Sequence, residues 1–148
     1  MFETAYPLIL TLNLLWFGAG AWYFGVKRHA AAKLLVPKSA RSSPIFATLS
    51  SALPFLAGMN LAFSLLATAL LIRQDLFTDH REQALLLITF GIAHASQFLI
   101  NVPVARRGGR IGESYWDVLA GPMLFIFVVD ALMAVLNIAC AIAVYCDG

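Results

Sequence analysis

The chain has 148 residues, of which 61% are hydrophobic and 12% are charged, and its formal net charge is +2. A chain of this length usually forms one domain, and a composition this apolar excludes an ordinary water-soluble protein. We therefore expect a single integral membrane domain over residues 1–148.

Four apolar segments are long enough to cross a hydrocarbon core of about 30 Å as helices that rise about 1.5 Å per residue. They cover approximately residues 7–26, 49–72, 84–104 and 118–145. These segments predict an all-α fold, a polytopic four-helix bundle, with nothing substantial left for a soluble domain. Pro103 is expected to end the third span, and Ser114 is expected to cap the start of the fourth.

Basic residues are concentrated in the first and third loops between these spans. The first loop carries Lys27, Arg28, Lys33, Lys38 and Arg41, the third carries Arg106, Arg107 and Arg110, and the middle loop carries only Arg73 and Arg81. The positive-inside rule therefore predicts that both basic loops are cytoplasmic and that both termini lie outside. Because Glu3 stands where a secretory signal would carry basic residues, we expect an uncleaved first span.

The first basic loop predicts a short basic helix or surface segment up to Pro37, where a helix should stop. The lipid bilayer is the partner expected for these basic loops, through its anionic headgroups, and nucleic-acid binding is not expected. A bacterial cytoplasmic membrane is the localisation we expect from this charge distribution.

Small residues on the first two spans predict close helix packing. Ala21 and Gly25 form a small-xxx-small pair on the first span. The second span has a small and polar stripe that should face inward, formed by Ala57, Asn60, Ser64 and Ala67. These faces also offer contact surfaces for a partner membrane protein or for a second copy of the chain in a homo-oligomer.

Asp130 is the most informative residue, because it lies in the middle of the apolar fourth span. A carboxylate in hydrocarbon costs at least a few kcal/mol, so such a residue usually faces a bundle interior and has a polar partner. Asn137 follows seven residues later and lies nearly in line with it. The fourth span should therefore present a polar face to the other helices.

The third span carries the most polar face of the chain. Three hydrogen-bonding side chains recur at helical spacing along one ridge, namely His94, Gln97 and Asn101. On the first span, Asn13 and Trp16 share one face in the same way. Both faces are expected to look toward the interior of the bundle.

The depth of each polar group follows from its distance to the middle of its span. Asn60, His94 and Asp130 fall within about two residues of that point, or within a few Å of the bilayer midplane at about 1.5 Å per residue. We expect these three side chains and Asn13 of the first span to converge toward a common axis, with Asn13 and Asn137 on the outer side of the midplane. The predicted ligand-binding site comprises Asn13, Trp16, Asn60, Ser64, His94, Gln97, Asn101, Asp130 and Asn137.

No metal site, cofactor site or disulfide is predicted. The middle loop carries four candidate metal ligands at spacings that match no known type of site, namely Asp75, Asp79, His80 and Glu82. Only His94 among the histidines lies in a span, which excludes haem ligation by two histidines of one chain. Cys140 and Cys146 lie on different faces of the fourth span, so a bond between them is not expected.

Three functions remain open. In the first, which we favour, the chain is a non-enzymatic accessory or interaction protein whose polar residues join the helices around an apolar or lipid-like ligand. In the second, His94 and Asp130 are the catalytic acid/base pair of a lipid-modifying enzyme such as an isomerase. In the third, the chain is a proton-coupled transporter, which needs an aqueous path from each side.

Overall fold

The computed structural model describes residues 2–111 and 114–147. Within them it contains five α-helices, α1 (Phe2–Gly25), α2 (Arg28–Leu35), α3 (Pro44–Ile72), α4 (His80–Arg106) and α5 (Gly121–Asp147). A 3-10 turn covers Lys38–Ala40, and strands β1 (Arg110–Ile111) and β2 (Ser114–Tyr115) form a minimal antiparallel pair. Helices α1, α3, α4 and α5 are long and apolar enough to cross a membrane, as predicted.

The surface of the protein is apolar and its interior contains polar side chains. Phe55 is 84% exposed and Ile45 is 75% exposed, whereas the side chains of Asn13, His94 and Asp130 are fully buried. In water this distribution would be unfavourable, because the hydrophobic effect favours apolar side chains inside. It is the distribution expected of helices that face lipid.

The four long helices form two antiparallel hairpins. In the first hairpin α1 packs along α3, in the second α4 packs along α5, and the hairpins meet mainly through α1 and α5. Small residues allow the close approach within each hairpin. A methyl group added at Gly20 would lie 2.6 Å from Asn60 Oδ1, and one added at Gly91 would lie 2.8 Å from Ile138 Cδ1.

The small-residue faces of the first two spans pack against each other. A methyl group at Gly25 would lie 3.3 Å from the Ala57 side chain, and one at Gly18 would lie 3.3 Å from Ser64 Oγ. The stripe on α3 is buried, as its spacing predicted. Packing inside the first hairpin therefore uses the faces that were also considered for a partner protein.

Aromatic side chains fill the space where the backbones of α3 and α4 stay apart. Phe17 of α1 stacks on Phe63 of α3 with ring centroids 5.0 Å apart, and Phe63 lies 5.8 Å from Phe90 of α4. Large rings bury much apolar area per residue, so a few of them can fill a wide gap. This cluster separates the two hairpins on one side of the bundle.

The predicted short basic helix is confirmed as α2. Its Ala31 and Ala32 pack against Leu53 of α3, and His29 Nδ1 lies 2.8 Å from Ser50 Oγ. Helix α2 and the β1–β2 pair lie at the same end of the bundle, which we call the basic end.

Two expected helix boundaries are wrong. Pro103 does not end the third span, because a missing amide removes only one hydrogen bond, and α4 continues to Arg106. Gly108 ends it instead, with φ of 64° and the paired amide bonds of a Schellman motif. Ser114 does not cap the fourth helix, since it belongs to β2, and α5 begins only at Gly121.

Candidate functional site

The structure brings His94 of α4 and Asp130 of α5 into contact in the centre of the bundle. His94 Nδ1 lies 3.1 Å from Asp130 Oδ1, and both side chains are buried. Antiparallel packing of α4 and α5 places these two residues opposite each other, because the approach at Gly91 sets the register one turn away. The second hairpin therefore carries the expected acid and imidazole as a preformed pair.

Two asparagines connect this pair to the first hairpin. Asn13 Nδ2 donates to Asn137 Oδ1 at 2.8 Å, and Asn137 Nδ2 donates to Asn13 Oδ1 at 3.2 Å. His94 Nε2 lies 3.0 Å from Asn13 Oδ1. One imidazole ring thus spans from the carboxyl group on one side to the paired amides on the other.

Trp16 supplies the remaining link between the hairpins. Its indole Nε1 donates to Asp130 Oδ1 at 2.9 Å, so α1 reaches α5 at two levels, through Asn13 and through Trp16. Within the described residues, every side-chain hydrogen bond between the hairpins involves these groups. We call Asn13, Trp16, His94, Asp130 and Asn137 the polar bridge.

The backbone determines the direction of the amide hydrogen bonds. Asn13 Nδ2 also donates to the Ile9 carbonyl at 2.9 Å, and Asn137 Nδ2 donates to the Met133 carbonyl at 2.8 Å. Turning either amide over would place its oxygen against a carbonyl oxygen, which is repulsive. Asn13 Oδ1 is therefore an acceptor, and His94 Nε2 must carry a proton to donate to it.

This geometry also fixes how many protons the acid and the imidazole share. With Nε2 protonated, one further proton between His94 Nδ1 and Asp130 Oδ1 makes the pair neutral overall, as imidazolium with carboxylate or as imidazole with carboxylic acid. Removing that proton or adding another leaves a net charge in an apolar interior, at a cost of at least a few kcal/mol. The neutral, single-proton arrangement is therefore favoured.

Aromatic rings enclose the polar bridge. Phe17 stacks on the His94 ring with centroids 4.5 Å apart, and Trp16 packs edge-on against Phe125 at 5.6 Å. Asp130 Oδ2 is buried, and within the described part of the chain it has no hydrogen-bond partner. The polar bridge is thus a closed structural unit with one unused acceptor.

Asn60 does not join this bridge, contrary to the expected convergence of Asn60, His94 and Asp130. Its amide donates to the Leu56 carbonyl of its own helix, and its oxygen faces Gly20. Ser64 likewise donates to a backbone carbonyl, that of Leu14. Both α3 residues therefore serve packing within the first hairpin.

Gln97 and Asn101, the two polar residues of α4 nearer the basic end, lie apart from the polar bridge. Asn101 donates to the Gln97 carbonyl and accepts from Trp116 Nε1 at 3.1 Å, which ties the loop before α5 to α4. Gln97 makes no side-chain hydrogen bond among the described residues, and its side chain is half-buried next to empty space.

Two apolar cavities flank Gln97 and Asn60, and both are lined by these two residues. The first, of about 420 Å³, opens between α1, α2 and α5 and is otherwise lined by Trp16, Ala19, Gly20, Trp22, Tyr23, Phe24, Leu34, Pro122, Phe125 and Ile126. The second, of about 400 Å³, lies between α3 and α4. Neither cavity is lined by His94 or Asp130. We call the first the lateral cavity.

Sequence reasoning missed Phe17 and most of the wall of the lateral cavity. Phe17 lies one residue beyond Trp16 in an apolar run, where an aromatic ring gives no signal that it will cover a histidine. The cavity wall combines residues from α1, α2 and α5. Its composition depends on tertiary packing that no single span reveals.

The middle loop contains no metal site among the residues that the structure describes. Arg73 donates two hydrogen bonds to Asp75 and lowers the pKa of that carboxyl group, in an exposed pair. Asp79 accepts from the Arg81 amide at the start of α4. Cys140 is buried and Cys146 is exposed, and neither is in a disulfide.

Comparison with known proteins gives no assignment for this site. No protein-family model matches the chain, and no curated protein or solved structure matches it.

Proposed function

We propose that this protein is a small membrane accessory protein that binds an apolar, lipid-like ligand in the lateral cavity and catalyses no reaction on it. The lateral cavity is the observation that carries this proposal. Its volume of about 420 Å³ lies in the range of roughly 300–1,000 Å³ typical of small-molecule sites, which are mostly apolar with a few polar groups.

The lining of the lateral cavity includes uncharged groups that could form hydrogen bonds with the polar part of such a ligand. Asn60 and Gln97 line this cavity among residues that are otherwise almost entirely apolar or aromatic, and the Gln97 carboxamide makes no side-chain hydrogen bond among the described residues. A carboxamide both donates and accepts hydrogen bonds, so it suits a hydroxyl, ester or amide group of an amphiphile. These two residues were among the predicted ligand-binding residues.

The polar bridge has a structural role in this proposal. Its acid and imidazole are buried behind Trp16 and Phe17 and are hydrogen-bonded to each other, whereas a general acid or base must come within hydrogen-bond reach of its substrate. Interhelical hydrogen bonds of this kind contribute roughly 0.6–2 kcal/mol each. The bridge therefore joins the hairpins that form the walls of the cavity.

We also propose an orientation with the basic end in the bacterial cytoplasm and both ends of the described chain outside. The support is the distribution of basic residues, since α2 and the loop after α4 carry most of them. The lateral cavity opens near the basic end, and in this orientation it would take its ligand from the inner leaflet.

Cavity filling tests the proposed binding. The exposed side chain of Ala19 lines the lateral cavity, so Ala19→Phe should fill it without replacing any residue of the polar bridge. Purification in mild detergent followed by native mass spectrometry should show a bound amphiphile on the unmodified chain and its loss in the variant.

Ala62→Phe is the matched control, because Ala62 is exposed on α3 and lines neither described cavity. It should retain the amphiphile. Equal retention by the Ala19 and Ala62 variants, or an unmodified chain without bound amphiphile, would contradict the proposal.

One observation favours the alternative enzyme. Trp16 lines the lateral cavity while its indole binds Asp130, so a ligand that displaced this ring would reach the acid. An isomerase would then remove a proton from one carbon of the lipid and return one to another. Incubation with membrane lipids in D₂O should place deuterium on lipid carbons, and His94→Gln should abolish this. No incorporation by the unmodified chain would remove the alternative.

A further inference from the structure

We infer that the ligand of the lateral cavity is an anionic phospholipid, whose headgroup lies at Lys27 and one of whose acyl chains occupies the cavity. This inference rests on the proposed function and adds the chemical class of the ligand. It combines the depth of the cavity with the charges at its mouth.

The depth of the cavity matches one leaflet. Its lining follows α1 from Trp16 to Phe24, eight residues or about 12 Å at a rise of about 1.5 Å per residue. The hydrocarbon layer of one leaflet is roughly 15 Å, half of a core of about 30 Å. An acyl chain entering at the Phe24 end would therefore reach Trp16, next to the polar bridge.

Positive charge lies beside the part of the cavity wall that is nearest the basic end. Lys27 Nζ lies 5.5 Å from the ring centroid of Trp22, which lines the cavity. Leu34 of α2 also lines it, next to Lys33 in the chain. The apolar wall at Trp22 thus lies next to the ammonium group of Lys27, an arrangement that suits an anionic amphiphile.

Within the part of the chain that the structure describes, no ion pair neutralises this charge. No Asp or Glu occurs between Glu3 and Asp75, so the five basic residues of the α2 region have no acidic neighbour along the chain. Among the described side chains, the only ion pairs join Arg73 to Asp75 and His94 to Asp130. Basic residues near a bilayer attract anionic lipids with about 1 kcal/mol each.

Lipid titration tests the headgroup. The full chain in detergent is titrated with phosphatidylglycerol or with phosphatidylcholine of the same acyl composition, and bound lipids are counted by native mass spectrometry. We expect tighter binding of phosphatidylglycerol. Lys27→Gln should reduce this preference about fivefold, the loss of one basic residue near the headgroup.

Lys38→Gln is the control for a general charge effect, because it removes the same charge from the exposed 3-10 turn, away from the residues that line the cavity. It should leave the preference unchanged. An equal reduction in both variants, or no headgroup preference in the unmodified chain, would overturn the inference.

Ala19→Phe separates this inference from the proposed function. In one outcome, Ala19→Phe weakens the binding of both lipids while Lys27→Gln leaves the headgroup preference unchanged. In that case the cavity binds a lipid, but Lys27 does not bind its headgroup. If Ala19→Phe weakens the binding of neither lipid, the cavity is not the binding site and both proposals fail.

Discussion

Asp130 Oδ1 forms hydrogen bonds with two neighbours that place different demands on the oxygen. It accepts a hydrogen bond from Trp16 Nε1 and shares a proton with His94 Nδ1. A carboxyl oxygen meets both requirements, whether as a carboxylate oxygen or as a hydroxyl that accepts from the indole and donates to the imidazole. An amide group does not, because its oxygen only accepts hydrogen bonds and its nitrogen only donates them.

Asp130→Asn should therefore lower the stability of the fold. An amide oxygen at this position accepts from Trp16 but requires a charged imidazolium, and an amide nitrogen donates to His94 but opposes the indole N–H. Either arrangement leaves one buried group unsatisfied, at roughly 1–3 kcal/mol. Thermal unfolding in detergent measures the change.

The double variant Trp16→Phe with Asp130→Asn provides the specific check. Once the indole N–H is removed, the amide nitrogen can donate to His94 without conflict. The double variant should be more stable than the sum of the two single effects, with a coupling of roughly 0.5–3 kcal/mol. Simple additivity would contradict the proton arrangement derived for the polar bridge.

Gly20 should tolerate no side chain. A methyl group there would lie 2.6 Å from Asn60 Oδ1, so Gly20→Ala should cost roughly 1–3 kcal/mol through overpacking. Adding Asn60→Ala should recover most of the loss. Gly58→Ala on the same α3 is the control, because nothing lies within 4 Å of its added methyl group, and it should not destabilise the fold.

The choice of hydrogen-bond partners could be predicted only in part from the sequence. Helical spacing identified the buried faces of Asn13, His94, Asp130 and Asn137, and counted depth placed the two asparagines on the outer side of the midplane. The His94 ring joins these levels, because its two nitrogens reach in opposite directions. Asn60 had the right depth, yet α3 packs on α1, so its amide faces Gly20 instead.

Among the helices, α1 is the connecting element. It packs along α3 by close apolar contact, and its Asn13 contacts both helices of the second hairpin. The hydropathy of the spans was sufficient to predict four long helices. Their ends were harder to predict, because Gly108 ends α4 through its backbone conformation and a strand pair delays the start of α5.

Asn13→Ala should weaken the junction between the hairpins more than Ser64→Ala does. The first change removes bonds to His94 and Asn137 and leaves both partners unsatisfied, at about 2 kcal/mol or more. The second removes one bond of Ser64 within the first hairpin, to a backbone carbonyl of α1. Unfolding rates in SDS compare the two variants, and a larger effect of Ser64→Ala would contradict the bridging role of Asn13.

On the scale of the whole molecule, the two cysteines report its orientation in the membrane. Cys146 is exposed near the end of α5, opposite the basic end, while Cys140 is buried. A membrane-impermeant maleimide added to intact cells should therefore label the chain from outside. Cys146→Ser should abolish this label and Cys140→Ser should retain it. Labelling only after the membrane is permeabilised would reverse the proposed orientation.

The weak backbone contact between α3 and α4 has a consequence for assembly during synthesis. If each hairpin inserts into the bilayer separately, polar groups face the acyl chains until the two hairpins pair: Asn13 on the first hairpin, and His94, Asp130 and Asn137 on the second. A hairpin without its partner would thus expose polar side chains that a membrane protease could recognise. The side chains that join the hairpins in the folded protein would then also distinguish an unpaired hairpin from the assembled one.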